Sequence, residues 1–97
     1  MTKPDTYFEK KTDSSVLIDH PWNVILYNDD VHSFEEVIFQ IQKATGASLQ
    51  NAIEITLEAH ASGRAICYSG SLEECNKVAN ILKEISLHVE VDQPAAI

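Results

Sequence analysis

A chain of 97 residues with 44% apolar residues and a formal net charge of −8 is expected to make one small acidic domain. That acidity opposes phosphate backbones and anionic lipid, so neither nucleic acid nor a membrane is an expected partner. No stretch approaches the roughly 18 apolar residues of a membrane span, and the opening Met1-Thr2-Lys3-Pro4-Asp5 lacks a secretory apolar core. A cytoplasmic location is the expectation.

Residues 1–20 are rich in Lys, Asp, Thr and Ser and keep no sustained period of 2 or 3.6. They read as a flexible tail, which leaves residues 21–97 as the folded domain. Asn23 to Tyr27 reads as a strand, with Pro21 before it and acids after it. Ser33 then opens a helix with a capping box, its partner being Glu36 three positions on. Phe34, Val37, Ile38 and Ile41 give that helix one apolar face, and Gly46 stops it. Ser48 caps a second helix, whose apolar stripe is expected along Leu49, Ala52, Ile53, Thr56, Leu57 and His60 up to Gly63. Arg64 to Tyr68 reads as a second strand, with a turn at Ser69-Gly70.

Ser71 and Glu74 form a second capping box, ahead of an apolar stripe of Cys75, Val78, Ile81, Leu82 and Ile85. Leu87, Val89 and Val91 alternate with His88, Glu90 and Asp92, the pattern of a half-buried strand. The order β-α-α-β-α-β predicts an α+β two-layer sandwich: a three-stranded antiparallel sheet packed against three helices. Cys67 and Cys75 lack CxxC spacing and are expected to be reduced, with Cys67 acting as a small buried hydrophobe.

The richest chemistry lies at Asn28-Asp29-Asp30, directly after the first strand. Asn and Asp are turn formers, and one reading is a plain turn. The other is a compact set of acceptors, two of them anionic, suited to a cation with several N–H donors such as an ammonium group. His60 has two readings as well: a core-edge histidine with one satisfied nitrogen, or a ring that accepts from the same ammonium. No calcium-loop spacing is present, and His32 with Glu35 makes no convincing metal site, so no cofactor or metal is expected. Nucleophile-elbow, phosphate-loop and zinc-helix motifs are absent from the sequence. Ser33, Ser48 and Ser71 already have work as helix caps. A binding module and not an enzyme is the expectation; a small enzyme using Asp29, Asp30 and His60, and a plain interaction domain, are the alternatives.

The run PWNVILYNDDVHSFEEV from Pro21 to Val37 and the run AIEITLEAHASGRAICYSGS from Ala52 to Ser71 resemble the ClpS family of Clp-protease adaptors. That family carries a strand ending in Asn-Asp-Asp, a helix ending in histidine, then a Gly-Arg/Lys-Ala-Ile/Val-Cys strand, and this chain shows all three in order. The resemblance covers about residues 21 to 92. It implies an adaptor that binds N-degron peptides and proteins beginning with Phe, Tyr, Trp or Leu and delivers them to a Clp AAA+ unfoldase of the ClpA or ClpC type. By motif match, Asn28, Asp29 and His60 would contact the α-amino group, with Asp30 in the same motif. Val37, Thr56 and Ala59 would line the side-chain pocket, Phe34 would stand at its mouth beside His32, and Val89 would be a further wall.

The family usually has Met where Phe34 stands, Met and Val where Thr56 and Ala59 stand, and Thr in place of His32. These departures imply a deeper pocket with a more polar base and a stiffer lip, and an expected preference for Phe, Tyr or Trp over Leu. They also keep open a ClpS paralogue, or a general protein-interaction domain, with altered substrate choice. The tail would deliver cargo into the unfoldase, and docking is expected near Glu74 and Lys77.

Overall fold

The computed structural model describes residues 20–94; residues 1–19 of the expected tail, and 95–97, lie outside the described residues. The elements are β1 (Trp22–Tyr27), α1 (Phe34–Thr45), α2 (Leu49–Ser62), β2 (Arg64–Gly70), α3 (Leu72–Lys83) and β3 (Val89–Asp92). This is the expected β-α-α-β-α-β order. The sheet is antiparallel, with β1 in the centre between β2 and β3. Among the described residues, no helix is long and apolar enough to cross a membrane.

Local chemistry sets the helix ends. Ser33 and Ser71 each accept from the N3 backbone N–H while Glu36 and Glu74 reach back to the cap's own N–H. Each box satisfies two backbone donors that an uncapped helix leaves orphaned. Gly46 and Gly63 end α1 and α2 in the left-handed region, at φ of 73° and 92°. Ser86, in the α3–β3 connection, adopts φ 66° without glycine's freedom.

Val24 and Leu26 of β1 point into the core, where Ile41 of α1 and Leu82 of α3 are also fully buried. Truncating such a leucine to alanine typically costs ~2–5 kcal/mol. Both cysteines are free and buried. Burial pushes the Cys67 thiol up to about 12, so it acts as a small hydrophobe and not as a nucleophile.

Several expectations shift. β1 begins one residue earlier, at Trp22, and β2 runs on to Gly70, because Ser69 and Gly70 pair with Asn23 and Trp22 instead of turning. Cys67 has no opposite partner in that ladder; a bulge between Val24 and Ile25 keeps it facing the core. The last strand begins at Val89, with Leu87 buried just ahead of it. The largest correction concerns α2. Leu49 and Leu57 are 57% and 49% exposed, and the buried face is Ala52, Thr56 and Ala59, with Ile55 packed beside it. Small residues therefore make up the face that α2 turns to the core, and two of them, Thr56 and Ala59, also line the site.

Candidate functional site

One backbone bond joins the two halves of the site. The N–H of Asn28, the first residue beyond β1, donates to the Gly63 carbonyl at 2.9 Å, and the Gly63 N–H donates in turn to Ala59. The start of the Asn-Asp-Asp turn is therefore pinned to the C-terminal end of α2, one turn from His60. Tyr27 N–H donates to the His88 carbonyl at 3.0 Å, which fixes the other side of the strand end.

Within the turn, Asp29 organises its own loop. Its Oδ1 accepts from the backbone N–H groups of Val31 and His32, both at 2.7 Å. Its Oδ2 lies 2.8 Å from His32 Nδ1. Burial pushes the Asp29 carboxyl up, but the bonds from His32 and Val31 outweigh burial and hold it below the usual carboxylate value. Asp29 is thus an anion throughout the neutral range. Asn28 Nδ2 donates to Asp30 Oδ1 at 3.3 Å. That contact turns the Asn28 carbonyl oxygen away from Asp30 and leaves it free to accept.

Next to these acceptors lies an apolar hollow lined by Leu26, Tyr27, Asn28, Asp29, Phe34, Val37, Thr56, Ala59 and His60. Val37, Thr56 and Ala59 are buried, whereas Phe34 at the head of α1 is 42% exposed. The Phe34 ring meets His60 edge-on, with centroids 5.2 Å apart and planes at 73°. With Phe34 in this position the hollow is about 10 Å³, the room one water needs. A hollow of this size is too small for a leucine or aromatic side chain. The Thr56 hydroxyl donates to the Ala52 carbonyl at 2.8 Å, so the wall offers the hollow an oxygen acceptor but no donor.

The structure therefore gathers Asn28, Asp29, Phe34, Val37, Thr56, Ala59 and His60 around one hollow. Three of the residues named from sequence stand apart. Asp30 is exposed and contacts Asn28. His32 turns toward Asp29 instead of the hollow. Val89 lies in the core opposite Leu26 across the β1–β3 ladder. Leu26 was not singled out from sequence, where it read only as part of the first strand. A larger, shallower hollow of about 660 Å³ lies elsewhere, between Trp22, Leu72, Glu74 and Gln93, without a comparable set of converging acceptors.

Comparison with known proteins places this arrangement. The family model described as "ATP-dependent Clp protease adaptor protein ClpS" matches residues 18–92. The ATP-dependent Clp protease adapter protein ClpS of Streptomyces coelicolor is 31% identical over 75 residues, which cover 77% of this chain and 78% of that protein. A 54-residue stretch is 37% identical to part of the E3 ubiquitin-protein ligase UBR1 of Drosophila melanogaster, covering 56% of this chain but only 3% of that relative. The structure of Agrobacterium tumefaciens ClpS2 bound to L-phenylalaninamide matches with a TM-score of 0.72 at 17% identity, over 77% of this chain and 98% of that one. This last likeness shows a shared fold.

Proposed function

Because the chain belongs to the ClpS family of ATP-dependent Clp protease adaptor proteins, we propose that it captures the free α-amino group and bulky apolar first residue of N-degron proteins. It hands them, in the cytoplasm, to a Clp AAA+ unfoldase of the ClpA or ClpC type. The family is one of adaptors and not of proteases, and the reading asks for no catalytic step. The observation that carries it is the junction of an anionic turn with an apolar hollow: Asn28, Asp29 and His60 stand at the rim of the space walled by Val37, Thr56 and Ala59.

The chemistry supports selection of a chain end. A peptide amino group has a pKa of about 7.7–8.0 and is mostly an ammonium at neutral pH. Its three hydrogens need acceptors, which the Asn28 oxygen, the Asp29 carboxylate and a His60 ring nitrogen supply. An internal residue brings one neutral amide hydrogen instead. It leaves acceptors that the bound chain covers unmatched, at roughly 1–3 kcal/mol each. Burying the first side chain in the hollow adds roughly 1.5–3 kcal/mol. The structural relative in complex with L-phenylalaninamide holds a compound with both features, a free amine and an aromatic side chain.

Phe34 and Thr56 favour a second element of the reading. A flat lid and an acceptor in the wall suit Phe, Tyr or Trp better than Leu. Residues 1–20 would guide delivery; removing residues 1–17 is expected to preserve peptide binding and abolish degradation. Docking near Glu74 and Lys77 places the unfoldase beside exposed Leu72. The test is fluorescence titration with peptides that differ only at residue one. Phe, Tyr, Trp and Leu peptides are expected to bind and their N-acetylated forms are not; equal affinity for the acetylated forms refutes the reading.

A further inference from the structure

His32 sits where a ligand's charge is wanted. Its Nδ1 lies 2.8 Å from Asp29 Oδ2, and the two side chains are only 17% and 13% exposed. Asp29 Oδ1 already serves two backbone N–H groups. Oδ2 is therefore the oxygen with acceptor capacity left for an incoming ammonium, and the imidazole stands on it. Glu36 on α1 and the backbone of Ile85, from the α3–β3 connection, add weaker pulls toward the cationic ring. A neutral imidazole has one N–H; only the imidazolium donates from both nitrogens. The Asp29 bond is the strongest of the influences that hold His32 above its ordinary value, while partial burial works against it.

This inference rests on the reading that Asp29 receives a peptide ammonium. We propose that His32 is a resident cation that the ligand displaces, so that capture of an amino terminus at Asp29 drives a proton from His32 into solvent. Two cations on one carboxylate oxygen repel each other at close range. The neutral ring keeps Nδ1–H on Asp29, so the carboxylate stays aimed, and it gives up only its second donor. His32 is thus a positioning residue that also ties recognition to pH.

The sign follows from the groups present. Between pH 7.5 and 5.5 the peptide amine stays protonated. Asp29 stays ionised, being held below its ordinary value. Asp29 holds His32 above its ordinary value of about 6.5, so the cation predominates at pH 6.5 and below, and the fraction of protein ready for ligand falls with the neutral form, up to about tenfold for each pH unit below the His32 pKa. Glu36 and Asp29 face His32, and His60 stands on the rim of the same hollow.

The experiment titrates a Phe-initiated peptide and its N-acetylated control against the wild type and His32→Gln at pH 7.5, 6.5 and 5.5. Calorimetry at pH 6.5 in two buffers of different ionisation enthalpy counts protons released. The wild type is expected to lose at least about tenfold more affinity than His32→Gln over this range, and to release a proton fraction that the variant does not. His60 is common to both proteins, so the difference belongs to His32. Parallel pH profiles with a preserved preference for the free amine overturn this inference and leave the proposed function standing. Absence of proton release from the wild type also overturns it, whether or not the variant folds. If neither protein prefers the free amine at any pH, the functional reading fails and the inference falls with it.

Discussion

Asp29→Asn separates the charge of the turn from its shape. The substitution is isosteric, and an asparagine oxygen accepts the Val31 and His32 backbone hydrogens that Asp29 Oδ1 accepts at 2.7 Å. The turn should persist. The anion is what disappears, and with it the charge-assisted bond to a peptide ammonium. Hydrogen bonds to charged groups contribute about 1.5–3 kcal/mol net. At about 1.4 kcal/mol per factor of ten, peptide binding at pH 7.5 should weaken roughly 10- to 150-fold. The assay is fluorescence anisotropy with a labelled Phe-initiated peptide, beside circular dichroism to verify the fold.

Thermal melts supply an internal control, because the Asp29–His32 pair has a defined pH window. His32 is raised in the folded protein, so its contribution is complete below its unfolded value of about 6.5 and fades as pH rises through the folded value. Asp29 is depressed, so its contribution is complete above about 3.8 and fades as pH falls through its folded value. The melting-temperature gap between wild type and Asp29→Asn should therefore be widest near pH 4–6.5 and narrow on the alkaline side. A folded Asp29→Asn protein whose affinity drops less than about threefold would refute the assignment of Asp29 as the main charge partner.

Phe34→Ala should open the hollow to β-branched first residues; Val- and Ile-initiated peptides are expected to gain affinity in the same assay, and continued rejection would show that Phe34 is no lid. Its stability cost should be about 1–3 kcal/mol, the edge contact with His60 plus the burial lost by a partly exposed ring. Ser86→Gly should stabilise by about 0.5–1 kcal/mol, because the relief of a left-handed backbone exceeds the added entropy of the unfolded chain. A rise of roughly 2–8 °C in melting temperature is the readout, and a fall would contradict it. Gln40→Ala should cost about 2–3 kcal/mol in chemical denaturation while leaving peptide affinity within about twofold, since buried Gln40 donates to the Ile81 carbonyl at 2.6 Å, away from the hollow.

Sequence reading succeeded where the determining interactions are short in range. Both capping boxes span three residues, and the two left-handed glycines act on the helices they end. The same logic failed for α2, because leucines at helical spacing suggested a stripe that the structure leaves half exposed. What decides that face is how closely the helix approaches its neighbours, and small side chains at Ala52, Thr56 and Ala59 permit the close approach. The burial of Gln40 was equally hidden, since its acceptor stands 41 positions away. His32 shows a subtler limit. Resemblance set it among the pocket residues, yet three-residue spacing also lets it fold back on Asp29, and the electrostatic attraction there has no counterpart in an apolar hollow.

The Asn28–Gly63 bond explains why the site survives such local departures. A turn at the end of a strand would by itself present its acceptors in no fixed relation to a helix two elements later. Bonding Asn28 to the carbonyl of the residue that ends α2 makes the strand end and the helix end one rigid corner. Gly63 can serve this purpose because φ 92° turns the chain there at little steric cost. On the proposed function, the acceptors would be aimed before any ligand arrives, and the ordering cost would be met during folding instead of binding. The departures from the family pattern lie beside that corner: the ring of Phe34, the wall at Thr56 and the imidazole of His32 on Asp29. On the proposed function, affinity for a charged amino terminus would rest on the corner, while choice among first residues and sensitivity to acid would rest on these three positions.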